Sequence, residues 1–175
     1  MGTESVVSEG GTQLMQTGSG VAHSEALKEP SETFQIWFEP QLTKAIQRTP
    51  TYFQYREEEF PIYEQDGITI KTVLGGDSPM KIVTDAQMWD VHMDEGSIYR
   101  HILAGNRTLA GLAIEGNGSF FIDGNKESLF DHKDFVIFQS DELGEVTFHP
   151  REGYLHIYLI EVPTEVEYRL FRKAK

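Results

Sequence analysis

The chain has no cysteine among its 175 residues, which excludes disulfide bonds and thiolate metal ligands. It also lacks any run of ~18 apolar residues of the kind that crosses a membrane as a helix. Its first residues contain neither the basic segment nor the apolar segment that characterise a secretory signal. These absences predict a soluble, cytoplasmic protein with no membrane partner.

Basic residues are also scarce. Lysine and arginine number 15 against 28 aspartates and glutamates, so the formal net charge is −13. A surface with this balance repels a phosphate backbone, because both carry negative charge. The composition therefore argues against direct binding to nucleic acid.

A long amphipathic helix pattern is missing as well, and from Gly67 onward short apolar segments alternate with turns about every ten residues. This spacing is typical of an antiparallel barrel or jelly roll, so the chain is predicted to be all-β. Asp123-Gly124-Asn125 predicts a hairpin turn, and Gly116-x-Gly118 predicts a bend, because no helix follows that could bind phosphate. The predicted strands span 68–73, 81–83, 89–93, 97–103, 108–115, 119–122, 135–138, 146–148 and 154–162. The aromatic residues predicted for their core are Trp89, Phe120, Phe121, Phe135, Phe138, Phe148 and Tyr154.

The most informative stretch lies nearer the N-terminus, at Thr17–Glu25 and Phe34–Pro40. It predicts a glycine turn, a strand carrying His23 and Glu25, and a second strand rich in aromatic residues. Residues two apart on a strand share a face, so the imidazole of His23 and the carboxylate of Glu25 can be two ligands of one transition metal. The alternative is a half-exposed strand whose polar pair is simply solvated.

Gly18-Ser-Gly-Val-Ala-His-Ser-Glu25, together with Met15 before it and Gln35-Ile-Trp37 after it, resembles the end of the first barrel of pirin-like proteins. These proteins are a two-domain branch of the cupin superfamily. The resemblance implies the cupin double-stranded β-helix, or jelly roll. It also implies a mononuclear metal centre, most often iron, and the quercetin 2,3-dioxygenase activity reported for some members.

The metal centre implied by the resemblance has four ligands, of which two form a His-x-His pair on an early strand. No His-x-His occurs in this sequence, since the histidines other than His23 are His92, His101, His132, His149 and His156. We therefore expect His23 and Glu25 to form a half-site with low metal occupancy, because two protein ligands seldom hold a divalent metal tightly.

Met1-Gly2 resembles an internal Met-Gly of pirin-like chains, which predicts that this chain lacks roughly the first quarter of a full-length relative. The predicted organisation is then 1–40 as the last strands of an incomplete first barrel, 41–66 as a connector, 67–163 as a complete second barrel and 164–175 as a charged tail. Within the connector, residues 49–55 are expected to open a short helical turn. Within the first barrel, residues 5–7 are expected to form a strand.

The second barrel is expected to bind no metal, because the stretches that correspond to cupin ligand motifs contain no suitable residues. His101, His149 and His156 are interpreted as core histidines. A buried neutral imidazole needs hydrogen bonds at both nitrogens, so tyrosine or threonine partners are expected.

Three functions remain open at this point. The chain is a family-type oxygenase if its site is completed, a non-catalytic protein-binding or regulatory module, or a functionally silent product. Unpaired strand edges in the first barrel recruit other chains, so we expect a homo-oligomer formed through the N-terminal strands.

Overall fold

The computed structural model describes residues 2, 4–125 and 127–171 of the chain. They form two compact units, of which the first comprises Met1–Glu57, Ile82–Thr84 and Glu167–Lys175. The second comprises Glu58–Lys81 and Asp85–Val166. The expectations for Met1 and for the end of the tail, residues 172–175, lie outside the described residues. Within the described part of the chain, every helix is too short or too polar to cross a membrane.

In its described residues, the first unit contains one antiparallel strand pair, β1 (Thr12–Gln16) and β2 (Thr51–Tyr55), and one short α-helix, α1 (Leu42–Ala45). β1 contains Met15 and ends directly before Thr17. The helical turn predicted for residues 49–55 is wrong, because Thr51–Tyr55 form a strand that pairs with β1. Its tyrosines and phenylalanine are residues that favour strands.

The strands predicted at residues 5–7, 21–25 and 34–40 are also wrong, since these segments form no regular element. A strand requires a neighbour that satisfies its backbone hydrogen bonds, and no described segment pairs with any of the three. Trp37 is consequently 83% exposed. An alternating pattern therefore does not produce a strand where no partner strand accompanies it.

The second unit consists of ten strands in two antiparallel sheets. The six-stranded sheet has the order β10-β7-β12-β5-β4-β3, and the four-stranded sheet has the order β6-β11-β8-β9. The strands are β3 (Ile62–Gln65), β4 (Ile68–Leu74), β5 (Gln87–Met93), β6 (Tyr99–Leu103), β7 (Arg107–Glu115), β8 (Gly118–Ile122), β9 (Ser128–Phe130), β10 (Phe135–Ser140), β11 (Gly144–Pro150) and β12 (Leu155–Pro163). The predicted all-β, antiparallel architecture is confirmed.

Individual strands follow the predictions with a few exceptions. Lys81–Val83 was predicted as a strand and is not one, whereas β3 and β9 were not predicted. The bend at Gly116 is confirmed. Its φ is +81°, and a Cβ there would lie 2.1 Å from the carbonyl oxygen of Tyr154, so only glycine fits. The hairpin turn at Asp123-Gly124 is confirmed too, and both residues have positive φ as a type I′ turn requires.

The core of the second unit lies between the two sheets, where alternate residues of each strand meet. Its buried members are Val91, Met93, Leu103, Leu109, Ala113, Phe130, Phe138, Val146, Phe148, Leu155, Ile157 and Leu159. Of the predicted core aromatics, Phe138 and Phe148 are buried, and Trp89 and Phe120 pack against the cluster. Phe135 and Tyr154 are exposed and Phe121 is half-buried, so these three predictions are wrong. Burial of each large apolar side chain stabilises the fold by roughly 1.5–3 kcal/mol.

Candidate functional site

His23 and Glu25, the predicted metal half-site, lie in a segment without regular secondary structure. Their side chains nevertheless approach each other, with 3.7 Å between Nε2 of His23 and Oε1 of Glu25. The same carboxylate oxygen accepts a hydrogen bond of 2.8 Å from Nε2 of Gln13 on β1. Both side chains are about 40% exposed. The pair therefore offers one nitrogen and one oxygen donor at the surface, and its role as a half-site stays a prediction.

A buried ionic network occupies the space between the two sheets of the second unit. Glu161 on β12 accepts a hydrogen bond of 2.8 Å from Nε of Arg107 on β7 and lies 2.8 Å from Nε2 of His101 on β6. Arg107 also donates from Nη1 to Asp85 at 2.7 Å. His101 and Glu161 are buried, so the network links the two sheets inside the barrel.

Aromatic side chains enclose His101 within this network. The hydroxyl of Tyr99 lies 3.3 Å from Nδ1 of His101, and the ring of Trp89 contacts the imidazole edge-on with centroids 4.9 Å apart. The prediction that His101 is a core histidine with a tyrosine partner is confirmed. Its second partner, Glu161, was not predicted because the two residues are 60 positions apart.

The network fixes the charges of its members. Burial alone would raise the pKa of Glu161, but hydrogen bonds from His101 and Arg107 outweigh that effect, so its pKa lies below the usual value of 4.5. Burial, reinforced by the charge of Glu161, raises the pKa of Tyr99 to about 12. Glu161 is therefore a carboxylate and Tyr99 a neutral phenol at neutral pH. The lone pairs of Glu161 that face the interior are engaged by His101 and Arg107.

A second polar cluster lies on the opposite face of the six-stranded sheet. Val91 and Met93 on β5 point into the core, so Asp90 and His92 on the same strand point outward. His156 on β12 pairs directly with His92 across the strands, and Lys71 on β4 pairs with Asp90.

Three side chains of this cluster converge on the carboxylate of Asp90. Oδ1 of Asp90 lies 2.6 Å from Nε2 of His156 and 3.3 Å from Nε2 of His92, while Oδ2 lies 3.0 Å from Nζ of Lys71. The imidazoles are stacked, with centroids 3.8 Å apart and 19° between their planes. Burial would raise the pKa of Asp90, but the hydrogen bonds from both histidines and the charge of Lys71 hold it far below the usual value of 3.8.

Asp90, His92 and His156 form a group that can hold a metal ion, since one ligand atom of each lies within 4.8 Å of the others. In the described part of the chain it is the one such group of three. His156 was predicted to be a core histidine and is not, because its side chain points away from the core. The expectation that the second barrel binds no metal stays a prediction, although this unit does contain a candidate ligand group. Asp90-Val91-His92 has the same spacing as His23-Ser24-Glu25, so the sequence did show two of the three ligand residues on one strand face. The pairing of this strand with β12, which brings in His156, could not be seen in the sequence.

An open cleft of about 380 Å³ borders this group. Glu64, Asp66 and Asp94 line it together with His92 and the turn between β3 and β4. The cleft is therefore acidic, and it gives solvent and solutes access to the exposed imidazole.

The sequence is similar to those of two curated proteins. The sequence is 26% identical to a pirin-like protein of Caulobacter vibrioides over 66% of this chain and 45% of that protein. It is 24% identical to a putative pirin-like protein of Arabidopsis thaliana over 81% of this chain and 54% of that protein. No family profile matches the sequence. The chain thus spans about half the length of these curated relatives.

Two crystal structures share the fold. A Geobacillus kaustophilus protein superimposes with a TM-score of 0.60 at 18% identity, covering 71% of this chain and 51% of that one. A quercetin 2,3-dioxygenase of Acinetobacter baumannii superimposes with a TM-score of 0.59 at 14% identity, covering 71% of this chain and 43% of that one. At these identities the likeness concerns the fold, and the predicted cupin fold is confirmed.

Proposed function

Because the chain is a pirin-like cupin in sequence and in fold, we propose that it acts as a non-catalytic, protein-binding cupin module. The observation that carries this proposal is the ionic network inside the barrel, where His101 and Arg107 engage both carboxylate oxygens of Glu161. An oxygenase metal in that interior would need free ligand atoms. The guanidinium of Arg107 would moreover repel a cation placed beside Glu161.

The binding surface that we propose is the outer face of β10, the edge strand of the six-stranded sheet. Phe135 and Ile137 are 58% and 60% exposed there. They pair with half-buried Leu112 and Ala110 of β7, which continue the apolar face inward. Apolar groups grouped on an exposed sheet face mark sites of protein contact.

Charge indicates the chemistry of the partner. Asp131 and Asp134 precede β10, Asp141 and Glu142 follow it, and Lys133 is the one lysine or arginine in residues 131–142. The whole chain carries a net charge of −13. An apolar strand with acidic ends suits a protein whose apolar contact surface is surrounded by lysine and arginine.

The test compares a Phe135→Ser/Ile137→Ser double variant with a Leu129→Ser control, since Leu129 is equally exposed on the four-stranded sheet. Each is used as bait in extracts of the source cells at low and high salt. We expect one protein to be retained by the parent and the control, to be lost at least about tenfold from the double variant, and to dissociate as salt rises. Equal retention by all three baits would contradict the proposal. If the purified parent and the control are dimers and the double variant is a monomer, β10 binds a second copy of this chain instead.

The second candidate function is the quercetin dioxygenase type of oxygenase, which the 3.7 Å approach of His23 and Glu25 favours. Imidazole and carboxylate suit iron by ligand type, but two donors do not fill a coordination sphere. The described residues supply no third donor beside this pair. The site as described therefore does not fit a bound iron, and further ligands from outside the described residues would be required. Stoichiometric Fe(II) binding that is lost in a His23→Gln variant would support this candidate.

A further inference from the structure

We propose that Asp90, His92 and His156 bind one divalent transition-metal ion, with Zn²⁺ as the representative, on the outer face of the six-stranded sheet. This site is separate from His23 and Glu25 and from the ionic network inside the barrel. It uses one carboxylate oxygen and two imidazole nitrogens, and its fourth position opens to the acidic cleft.

The strands position the ligands without any loop. His92 and His156 are a directly opposed cross-strand pair of β5 and β12, and Asp90 is two residues before His92 on the same face. The backbone hydrogen bonds of a sheet interior thus set the separation of all three side chains. Because Asp90 and Met93 are buried, the strand that carries the site is held on both faces.

The distances are close to those that a metal requires. Metal bonds of about 2.0–2.2 Å place neighbouring ligand atoms roughly 2.9–3.5 Å apart in octahedral or tetrahedral sites. The 3.3 Å between Asp90 and His92 already lies in this range, whereas the 2.6 Å between Asp90 and His156 has to widen by a few tenths of an ångström. A small side-chain rotation of His156, which is 17% exposed, is sufficient for this change.

The contact with Lys71 limits Asp90 to coordinating a metal ion through one oxygen. Its ammonium lies 3.0 Å from Oδ2, so that oxygen is engaged and Oδ1 alone is directed toward the two imidazoles. Asp90 therefore offers a single, oriented oxygen, in the way that outer hydrogen-bond partners orient metal ligands. A metal ion binds Nε2 through its lone pair, so each imidazole has to change to the tautomer that carries its proton on Nδ1 instead of donating it from Nε2 to Asp90.

The donor set selects the class of cation. Two imidazoles and one carboxylate suit zinc, copper, nickel, cobalt or iron, whereas Mg²⁺ and Ca²⁺ prefer sites made of oxygen ligands. Two neutral rings with the Asp90–Lys71 pair carry no net charge before the ion enters. The carboxylates of Glu64, Asp66 and Asp94 around the cleft compensate the charge of the ion and attract it.

The test measures binding of Zn²⁺ and Co²⁺ to the full chain by equilibrium dialysis, with Mg²⁺ as a comparison and Co²⁺ absorption as a spectroscopic signature. The variants are His92→Gln and His156→Gln. The controls are His132→Gln, an exposed histidine in a turn, and His23→Gln. Circular dichroism confirms that each variant is folded. His92 is 50% exposed, so its replacement is not expected to disturb the core.

We expect one equivalent of Zn²⁺ in the parent and in both controls, little Mg²⁺, and a Co²⁺ spectrum with nitrogen ligands. Either cluster variant is expected to weaken binding by at least about 10–100-fold, since even outer partners of metal ligands have effects of that size. Unchanged affinity in folded His92→Gln and His156→Gln proteins would overturn the proposal. Loss of the bound ion in His23→Gln alone would place the metal at His23 and Glu25.

Discussion

Glu161 is the common partner in the ionic network of the barrel interior, because His101 and Arg107 contact it from two different strands. A Glu161→Gln variant keeps the shape of the side chain but removes its charge. Loss of one partner from a buried ionic group costs about 3–5 kcal/mol, since the remaining charge is left uncompensated. We expect urea unfolding to show a loss of that size. Glu142→Gln, at an exposed position, is the matched control and should change the free energy of unfolding by less than about 0.5 kcal/mol.

The same residue predicts how stability depends on pH. The pKa of Glu161 is lowered in the folded protein from a usual value of 4.5, so the unfolded chain binds its proton at higher pH than the folded chain does. The contribution of Glu161 is fully present above pH 4.5, declines as the pH falls below that value, and is lost below the folded-state pKa. Urea unfolding of the parent between pH 6 and pH 3 should show this decline. Glu161→Gln should show a shallower one, and parallel curves would contradict the assignment.

At the residue scale, the sequence predicted the burial of a single residue better than its contacts with residues far away in the chain. The burial of His101 and its tyrosine partner followed from the alternation of β6 and from the hydrogen-bonding needs of imidazole. The contact of Glu161 with His101 and the contact of Asp90 with His156 could not be predicted from the sequence, because each joins strands that are far apart in the chain. A charged residue in an apolar strand, such as Glu161 within Leu155–Pro163, was the available signal of a buried ionic partner.

At the element scale, an inward-facing phenylalanine of β10 and an outward-facing phenylalanine of β8 should respond differently to replacement by alanine. Phe138 on β10 is 4% exposed and meets the inward-facing Phe120 of β8 edge-on at 4.6 Å. Phe121 points to the outer face, where it contacts His149. Phe138→Ala should therefore cost about 3–5 kcal/mol and Phe121→Ala less than about 2 kcal/mol, because only part of its ring is buried. Equal losses in urea unfolding would show that β8 is not oriented as described.

Elements were predictable where alternation coincided with available partners. The strands β4, β5, β7 and β12 came from clear alternation, and the sheet interior supplies neighbours on both sides of each. At residues 21–25 and 34–40 a comparable pattern formed no strand, because no described segment pairs with it. Position within a sheet is a property of the whole fold, and a local pattern does not contain it.

At the scale of the whole molecule, the predicted homo-oligomer through the N-terminal strands stays a prediction. Sedimentation velocity at micromolar concentration should find a dimer or larger species that persists in Phe135→Ser/Ile137→Ser, because β10 is not part of that contact. A compact monomer in the parent would contradict it. The experiment also separates self-association through β1 and β2 from binding of a different protein at β10.

The central claim is our proposal that this chain, which is similar to pirin-like proteins, binds a protein partner and does not catalyse flavonol oxygenation by itself. The most direct measurement is quercetin-dependent oxygen uptake by the full chain supplied with Fe(II), recorded beside iron without protein and beside a His23→Gln variant. The account predicts uptake no greater than that of iron alone, with no difference between the parent and the variant. Saturable uptake that is proportional to protein concentration and is abolished by His23→Gln would contradict it.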